Sequence, residues 1–377
     1  MSSDQSFTQR LQQAQRSVAE LPLPDQAAQA HSLQLIALIK ERIAQQEGAL
    51  SFHDFMQLAL YAPGLGYYSA GSRKLGKDGD FITAPETSPL FARCLARAIQ
   101  PLLQTLPQRQ VLEVGAGSGA MAAGVLAELD ALNCKPDSYS ILEMSADLKQ
   151  RQAETLQQHG SAVNWTDSLP ENITGVVLAN ELLDAMPVHR VAWEQGKLQE
   201  CYVAWDGERF VWQVGPLSNP RLQTRFDEII KRLGDLPDGY VTEINLAAED
   251  WINTLSKSMQ QGLVLLIDYG FAQHEYYHPQ RIEGTLMCHY RHRAHDDPLI
   301  LVGLQDITAH VDFTAMADSA LAADMQVAGY TTQAHFLLGS GLTELVTEEE
   351  GDAAQQLNIA NQVKRLTLPQ EMGELFK

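Results

Sequence analysis

The stretch Val111-Leu-Glu-Val-Gly-Ala-Gly-Ser-Gly-Ala-Met-Ala122 decides how the rest of the chain is read. Val111, Leu112 and Val114 form a short apolar run of the kind that makes a buried strand. Gly115, Gly117 and Gly119 follow at alternate positions. A chain that turns sharply there needs glycine, and bare backbone lets a ligand lie against it. Ala120 to Leu129 then supplies helix-forming residues. The unpaired N–H groups at that helix start would point at whatever occupies the turn.

The turn alone is ambiguous, because Gly115-x-Gly117-x-x-Ala120 also fits a dinucleotide-binding fingerprint. Glu113 separates the readings. A carboxylate two residues before the first glycine would repel a pyrophosphate, and it suits the ammonium and sulfonium charges of S-adenosylmethionine. The pattern Glu113-x-Gly115-x-Gly117-x-Gly119 resembles the first motif of class I methyltransferases. Ser140-Ile-Leu-Glu143 is a second apolar strand ending in an acid, about 24 positions after Gly119. A doubly wound fold places its ribose-binding carboxylate there. A glycine-rich βα turn with no ligand is the plain alternative.

The chain has 377 residues and 45% hydrophobic content, enough for one large domain with insertions or for two domains. Acids outnumber bases 47 to 27, for a formal net charge of −20. That balance argues against nucleic acid and against an anionic membrane, and it favours a basic partner. Cys94, Cys134, Cys201 and Cys288 are scattered and read as reduced thiols. With no signal-type N-terminus, no Arg-rich transit peptide and no transmembrane run, a cytoplasmic protein of bacterial type is expected.

In order, a Gln-rich leader to about residue 25 precedes a helix over Gln26 to Gln46 and another over Phe52 to Leu60, with Ser51 as its cap. Tyr61 to Tyr68 is a turn with two adjacent tyrosines. Gly71 to Thr87 is a long loop, read as a cover or as disorder. Ser88-Pro89 starts a helix that leads into the first strand. Strands follow at Val163 to Trp165 and Gly175 to Ala179, and the strand–helix alternation implies a parallel sheet. Residues 188 to 215 alternate with period two around turns at Gly196 and Gly207, as an inserted antiparallel meander would. A helix over Pro220 to Arg232, a strand over Tyr240 to Ile244 and a helix over Ala247 to Met259 come next. Gly262 to Gly270 holds the strongest buried strand. Thr285 to Tyr290 and Tyr330 to His335 read as strands; Phe313 to Met325 and Asp352 to Leu366 read as helices.

Asn180, Glu181 and Asp184 stand at the end of the fourth strand, the ligand edge of such a sheet. Paired acids suit a guanidinium, since each accepts charge-assisted bonds from its planar fork. Capping of the next helix by acids is the structural alternative. The three histidines of Cys288-His-Tyr-Arg-His-Arg-Ala-His295 read as a basic loop rather than a metal site, and no metal is expected. His310 either faces the site or is a hydrogen-bonded core residue.

Gly64-Leu-Gly-Tyr-Tyr68, Gly79-Asp-Phe-Ile-Thr-Ala-Pro-Glu86, Glu113-Val-Gly-Ala-Gly-Ser-Gly119, Asn180-Glu-Leu-Leu-Asp-Ala185 and Asp306-Ile-Thr-Ala-His-Val-Asp-Phe313 together resemble the MidA family of S-adenosylmethionine-dependent methyltransferases. The resemblance implies an α/β class I methyltransferase fold, Rossmann-like, with a mostly parallel sheet flanked by helices. It also implies an N-terminal helical extension and an inserted antiparallel β region. The corresponding division is 1–87, 88–187, 188–245 and 246–377. The family ending is similar to Met372-Gly-Glu-Leu-Phe-Lys377 followed by more strand, so a short last strand is expected.

The expected activity is methylation of arginine in a basic or Arg-containing protein, with S-adenosyl-L-methionine as cofactor and S-adenosyl-L-homocysteine as product. Glu113, Gly115, Gly117, Gly119 and Glu143 would bind the cofactor, with Asp167 near the adenine and Asp80 and Phe81 covering the ligand. Asn180, Glu181 and Asp184 would hold the acceptor. Small-molecule methylation and a non-catalytic S-adenosylmethionine-binding assembly factor remain alternatives, as does a nicotinamide enzyme, against which Glu113 argues. A homodimer is compatible with this reading.

Overall fold

The computed structural model describes residues 21–70, 83–349 and 351–377. Asp80, Phe81, the leader up to residue 20 and the cover loop up to residue 82 lie outside the described residues.

Asp25 caps α1 (Gln26–Gln45), accepting the Ala28 amide at 2.8 Å. Leu35, Ile39 and Ile43 recur at four-residue spacing on its buried face. β1 (Ala49–Ser51) runs directly into α2 (Phe52–Tyr61), which Ser51 caps. Ser88 caps α3 (Pro89–Thr105), with proline at its first position, where the missing N–H costs nothing. β2 (Gln110–Val114), α4 (Ala120–Ala131), β3 (Ser138–Leu142), α5 (Ala146–Thr155), β4 (Val163–Thr166) and β5 (Ile173–Asn180) then alternate. The inserted region is β6 (His189–Glu194), β7 (Lys197–Trp205) and β8 (Phe210–Gly215). α6 (Pro220–Leu233), β9 (Tyr240–Ile244), α7 (Leu246–Ser258) and β10 (Met259–Ile267) follow.

The central sheet has the order β10-β5-β2-β3-β4, parallel throughout. From β2 the chain winds outward through β3 and β4, then crosses back to β5 and β10. The order therefore reverses between β2 and β5, and ligand crevices open at the carboxyl ends of strands at such a point. All eight residues of β5 are buried. α3 and α4 pack so closely that a Cβ on Gly124 would stand 2.5 Å from that of Ala92. This is the class I methyltransferase arrangement the sequence implied.

The inserted strands form an antiparallel sheet, β1-β7-β6-β9 with β8 on β7. β1 brings the N-terminal segment into that sheet. Leu35, Phe52 and Phe55 from the N-terminal helices share one apolar core with Val203 and Phe210 from the insertion. Two readings are corrected. Tyr330 to His335 is not a strand: Thr332 accepts the His335 amide at 3.3 Å and caps a helix, Gln333–Gly339. A short apolar run cannot separate the two periods, whereas a capping threonine can. The helix from Phe313 ends at Ala322 rather than Met325. Near Lys377 the chain makes an antiparallel bridge, Tyr269 to Phe376, and two backbone bonds with Asp268. No helix among the described residues is long and apolar enough to cross a membrane.

Candidate active site

A cavity of about 550 Å³ opens where β2, β3 and β5 end. Gly115, Gly117 and Gly119 take φ of 70°, 54° and 82°, a region that strains any L side chain. A Cβ at Gly115 would approach Leu182 Cδ1 at 3.3 Å, and one at Gly119 would approach Gln152 Cα at the same distance. The turn is bare because both its conformation and its neighbours require it.

Gln152 ties this turn to the next strand. Its Nε2 donates to the Gly117 carbonyl at 3.1 Å and to Glu143 Oε2 at 3.0 Å, while its Oε1 accepts the Trp165 indole N–H at 2.9 Å. It is fully buried, and it is the buried residue through which the polar helix α5 docks. The Ser145 amide donates to Glu143 Oε1 at 2.9 Å. Burial still raises the Glu143 carboxyl above its ordinary pKa against these bonds. Glu113 is 1% exposed. The Tyr139 hydroxyl donates to its Oε2, and its Oε1 has no partner among the described residues. Desolvation pushes Glu113 up to about 7, opposed by the Tyr139 bond.

At the other end, β5 runs out at Asn180 and Glu181 takes φ 50°, uncommon for a residue other than glycine. The strain is held by fixed bonds. The Glu181 amide donates to Ile267 O at 2.8 Å. The Leu182, Leu183 and Asp184 amides converge on Oδ2 of Asp268 at 3.1, 2.9 and 3.3 Å. Asp268 itself is buried, and burial, followed by the charges of Asp184 and Glu181, holds its pKa well above the usual range.

Glu181 and Asn180 line the cavity. Asn180 Nδ2 donates to Glu181 Oε1 at 3.2 Å, and Asn180 Oδ1 has no partner among the described residues. Desolvation, then the neighbouring Asp184, pushes Glu181 up to about 8, although Asn180 and the Ala84 amide pull it down. Asp184 does not join Glu181 in the cavity wall. It is buried, its Oδ2 accepts the Tyr269 hydroxyl, and its Oδ1 has no partner among the described residues. The two expected acids remain neighbours, since Asp184 raises Glu181, but only Glu181 is among the cavity-lining residues.

Tyr61 and Tyr68 form the facing wall, stacked with ring centres 5.5 Å apart. The Tyr61 hydroxyl donates to Ala185 O at 2.9 Å, and that of Tyr68 donates to Asp306 Oδ1 at 2.8 Å. Glu86 also lines the cavity. Asp167 does not: it is 76% exposed and paired with Lys149, which draws it outward from the turn after β4. Met144, Asp147 and Arg151 stand at that end instead. His310 is half-buried and not among the cavity-lining residues; it is bonded through Nδ1 to Thr285 O at 3.2 Å and stacked on Phe271, with burial pushing it down to about 4. No group of His, Cys, Asp or Glu that could hold a metal ion occurs among the described residues.

Residues 94–331 match the family model described as S-adenosyl-L-methionine-dependent methyltransferase. The chain belongs to this methyltransferase family. Mitochondrial protein arginine methyltransferase NDUFAF7 of Rattus norvegicus is 27% identical, over 87% of this chain and 80% of that one. The Homo sapiens protein is 26% identical, over 87% and 79%. A Burkholderia thailandensis protein assigned as a methyl transferase, solved bound to S-adenosyl-homocysteine, is 44% identical with a TM-score of 0.90, covering 95% of this chain and 94% of that one.

The methyltransferase cavity fits S-adenosylmethionine. The unpartnered Glu113 Oε1 is a buried acceptor suited to a cationic group, and the bare glycine turn beside it leaves backbone open to a ligand. A pyrophosphate would meet the Glu113 carboxylate instead. When bound, S-adenosylmethionine supplies a methyl group on a positively charged sulfur. Of the residues named from the sequence, Glu113, Gly115, Gly117, Glu143, Asn180 and Glu181 line the cavity. Sequence reading missed Gln152 and Tyr139, and gave no role to Tyr61, Tyr68, Glu86 or Asp268. The last follows the strongest strand directly, and that position was the available signal.

Proposed function

We propose that the protein methylates a guanidinium nitrogen of arginine in a basic protein partner. The observation that carries this is Glu181, an acid in the cavity wall pushed up to about 8 with no cationic side chain among its causes. A carboxyl in that state gains most from a positively charged occupant. The names of the mitochondrial relatives support the same acceptor class.

In this reading Glu113 faces the cationic part of the cofactor, and Gly115, Gly117 and Gly119 leave it backbone to lie against. Glu143 accepts the ribose hydroxyls. Glu181 orients the acceptor nitrogen and Asn180 steadies Glu181; Asp184 and Asp268 position the loop. Methyl transfer is an in-line displacement, so orientation and charge complementarity supply most of the rate. The released proton passes to a carboxylate whose pKa lies close to neutrality. The net charge of −20 speeds the approach of a basic segment, and salt slows it.

The test is transfer of labelled methyl from S-adenosylmethionine to matched arginine and lysine peptides, with the product located by mass spectrometry. Preferential labelling of arginine, falling as salt rises, is expected. Label on a carboxylate, a hydroxyl or a small neutral metabolite, without salt dependence, overturns the reading.

A further inference from the structure

A planar guanidinium can engage two carboxylates at once, and Asp184 is not among the residues that line the cavity. The wall offers another acid. Glu86 lies in the short helical turn Ala84–Thr87, held at its base by Ser88, whose hydroxyl donates to Gln362 at 2.8 Å. The turn packs against Glu181, since the Ala84 amide is among the groups that lower the Glu181 pKa. Glu86 is the smallest of the causes that raise that pKa, and both carboxylates line the cavity. Glu86 Oε2 is buried and has no partner among the described residues. Asn180, 8% exposed, adds a second unpartnered acceptor, Oδ1, in the same wall.

We propose that Glu86 is the second carboxylate of the acceptor site, meeting the methyl acceptor together with Glu181 and selecting a planar cation. This inference rests on the arginine reading for the identity of the cation. It differs in assigning specificity to a residue outside the loop that follows β5. Tyr61 and Tyr68 flank the same space with ring surface, which favours a flat cationic group over a hydrated ammonium.

The experiment uses the full chain saturated with S-adenosyl-homocysteine. It titrates a fluorescent basic peptide carrying one central arginine, and the same peptide with neutral citrulline in its place. Glu86→Gln should weaken the arginine peptide roughly tenfold or more, because a charge-assisted bond is lost. It should leave the citrulline peptide and the S-adenosyl-homocysteine affinity within about twofold, the latter also reporting that the variant is folded. Glu86→Asp, which keeps the charge, should fall between. Weakened S-adenosyl-homocysteine with unchanged peptide binding overturns the proposal and moves Glu86 to the cofactor. Equal peptide binding by wild type and Glu86→Gln, or no peptide binding by wild type, also overturns it. Methyl transfer is scored separately: a peptide bound through Glu86 but never methylated upholds the pairing and sinks the arginine-transfer reading.

Discussion

The hydroxyl of Tyr269 donates to Oδ2 of Asp184, and neither residue is among those that line the cavity. Tyr269→Phe should therefore act on stability before it acts on binding. It leaves a buried carboxylate short of a donor beside Asp268, a loss of about 1–3 kcal/mol. Denaturant melts should register that loss, while S-adenosyl-homocysteine affinity stays within about twofold. Unchanged stability would contradict the placement.

Gly117→Val should remove cofactor binding. The φ of 54° disfavours a β-branched residue, and its side chain would enter the space of the turn. S-adenosyl-homocysteine should raise the melting temperature of the wild type and not of the variant. NAD should shift neither; a shift with NAD alone would refute the cofactor fit.

Gln152→Leu tests the clip between the glycine turn and Glu143. The substitution strands the Trp165 N–H and frees Glu143 Oε2, so stability should fall by about 2 kcal/mol and cofactor affinity with it. Asp167→Asn is the contrasting surface change, and it should alter neither quantity because an exposed pair contributes little.

Acidity should tune the empty and filled site in opposite ways. Glu181, at about 8, and Glu113, at about 7, keep protons in the folded chain that the unfolded chain releases near 4.5. Their contribution to stability is thus present below about pH 4.5 and is lost as pH rises through 7 to 8. Glu181→Gln should flatten the upper part of that decline. A cationic peptide favours ionised Glu181, so its affinity should climb toward pH 8 and then level. Asp184 and Asp268, both raised chiefly by burial, add to the slope with the same sign. Calorimetry in buffers of different ionisation heat should detect proton release at pH 7; its absence would argue against Glu181 as the cation's partner.

The cofactor half of the site was legible because its signals are local. Val111 to Gly119 carries strand, turn and helix start within nine residues, and Glu143 closes the next strand. The acceptor half depends on long-range contacts. Glu181 lines the cavity and Asp184 does not, and the loop that carries both is fastened to Asp268, 84 to 86 positions away, through amides the sequence does not display. Gln152 looked like one polar residue among many on a polar helix, and only tertiary packing makes it buried. β1 was invisible for a related reason: three residues carry no period, and they are a strand only because β7 lies beside them.

Three successive loop amides aimed at one sealed carboxylate oxygen leave Leu182, Leu183 and Asp184 no protons to lend to water. Substrate-binding loops ordinarily exchange their amide hydrogens quickly, since they open without disturbing the rest of the chain. Here the loop can open only by stripping Asp268, which also holds two backbone bonds to Lys377. In deuterated solvent the segment after β5 should therefore behave like the interior of the sheet, keeping its hydrogens as long as β5 keeps its own. The proposed acceptor side would then be in shape before any substrate arrives.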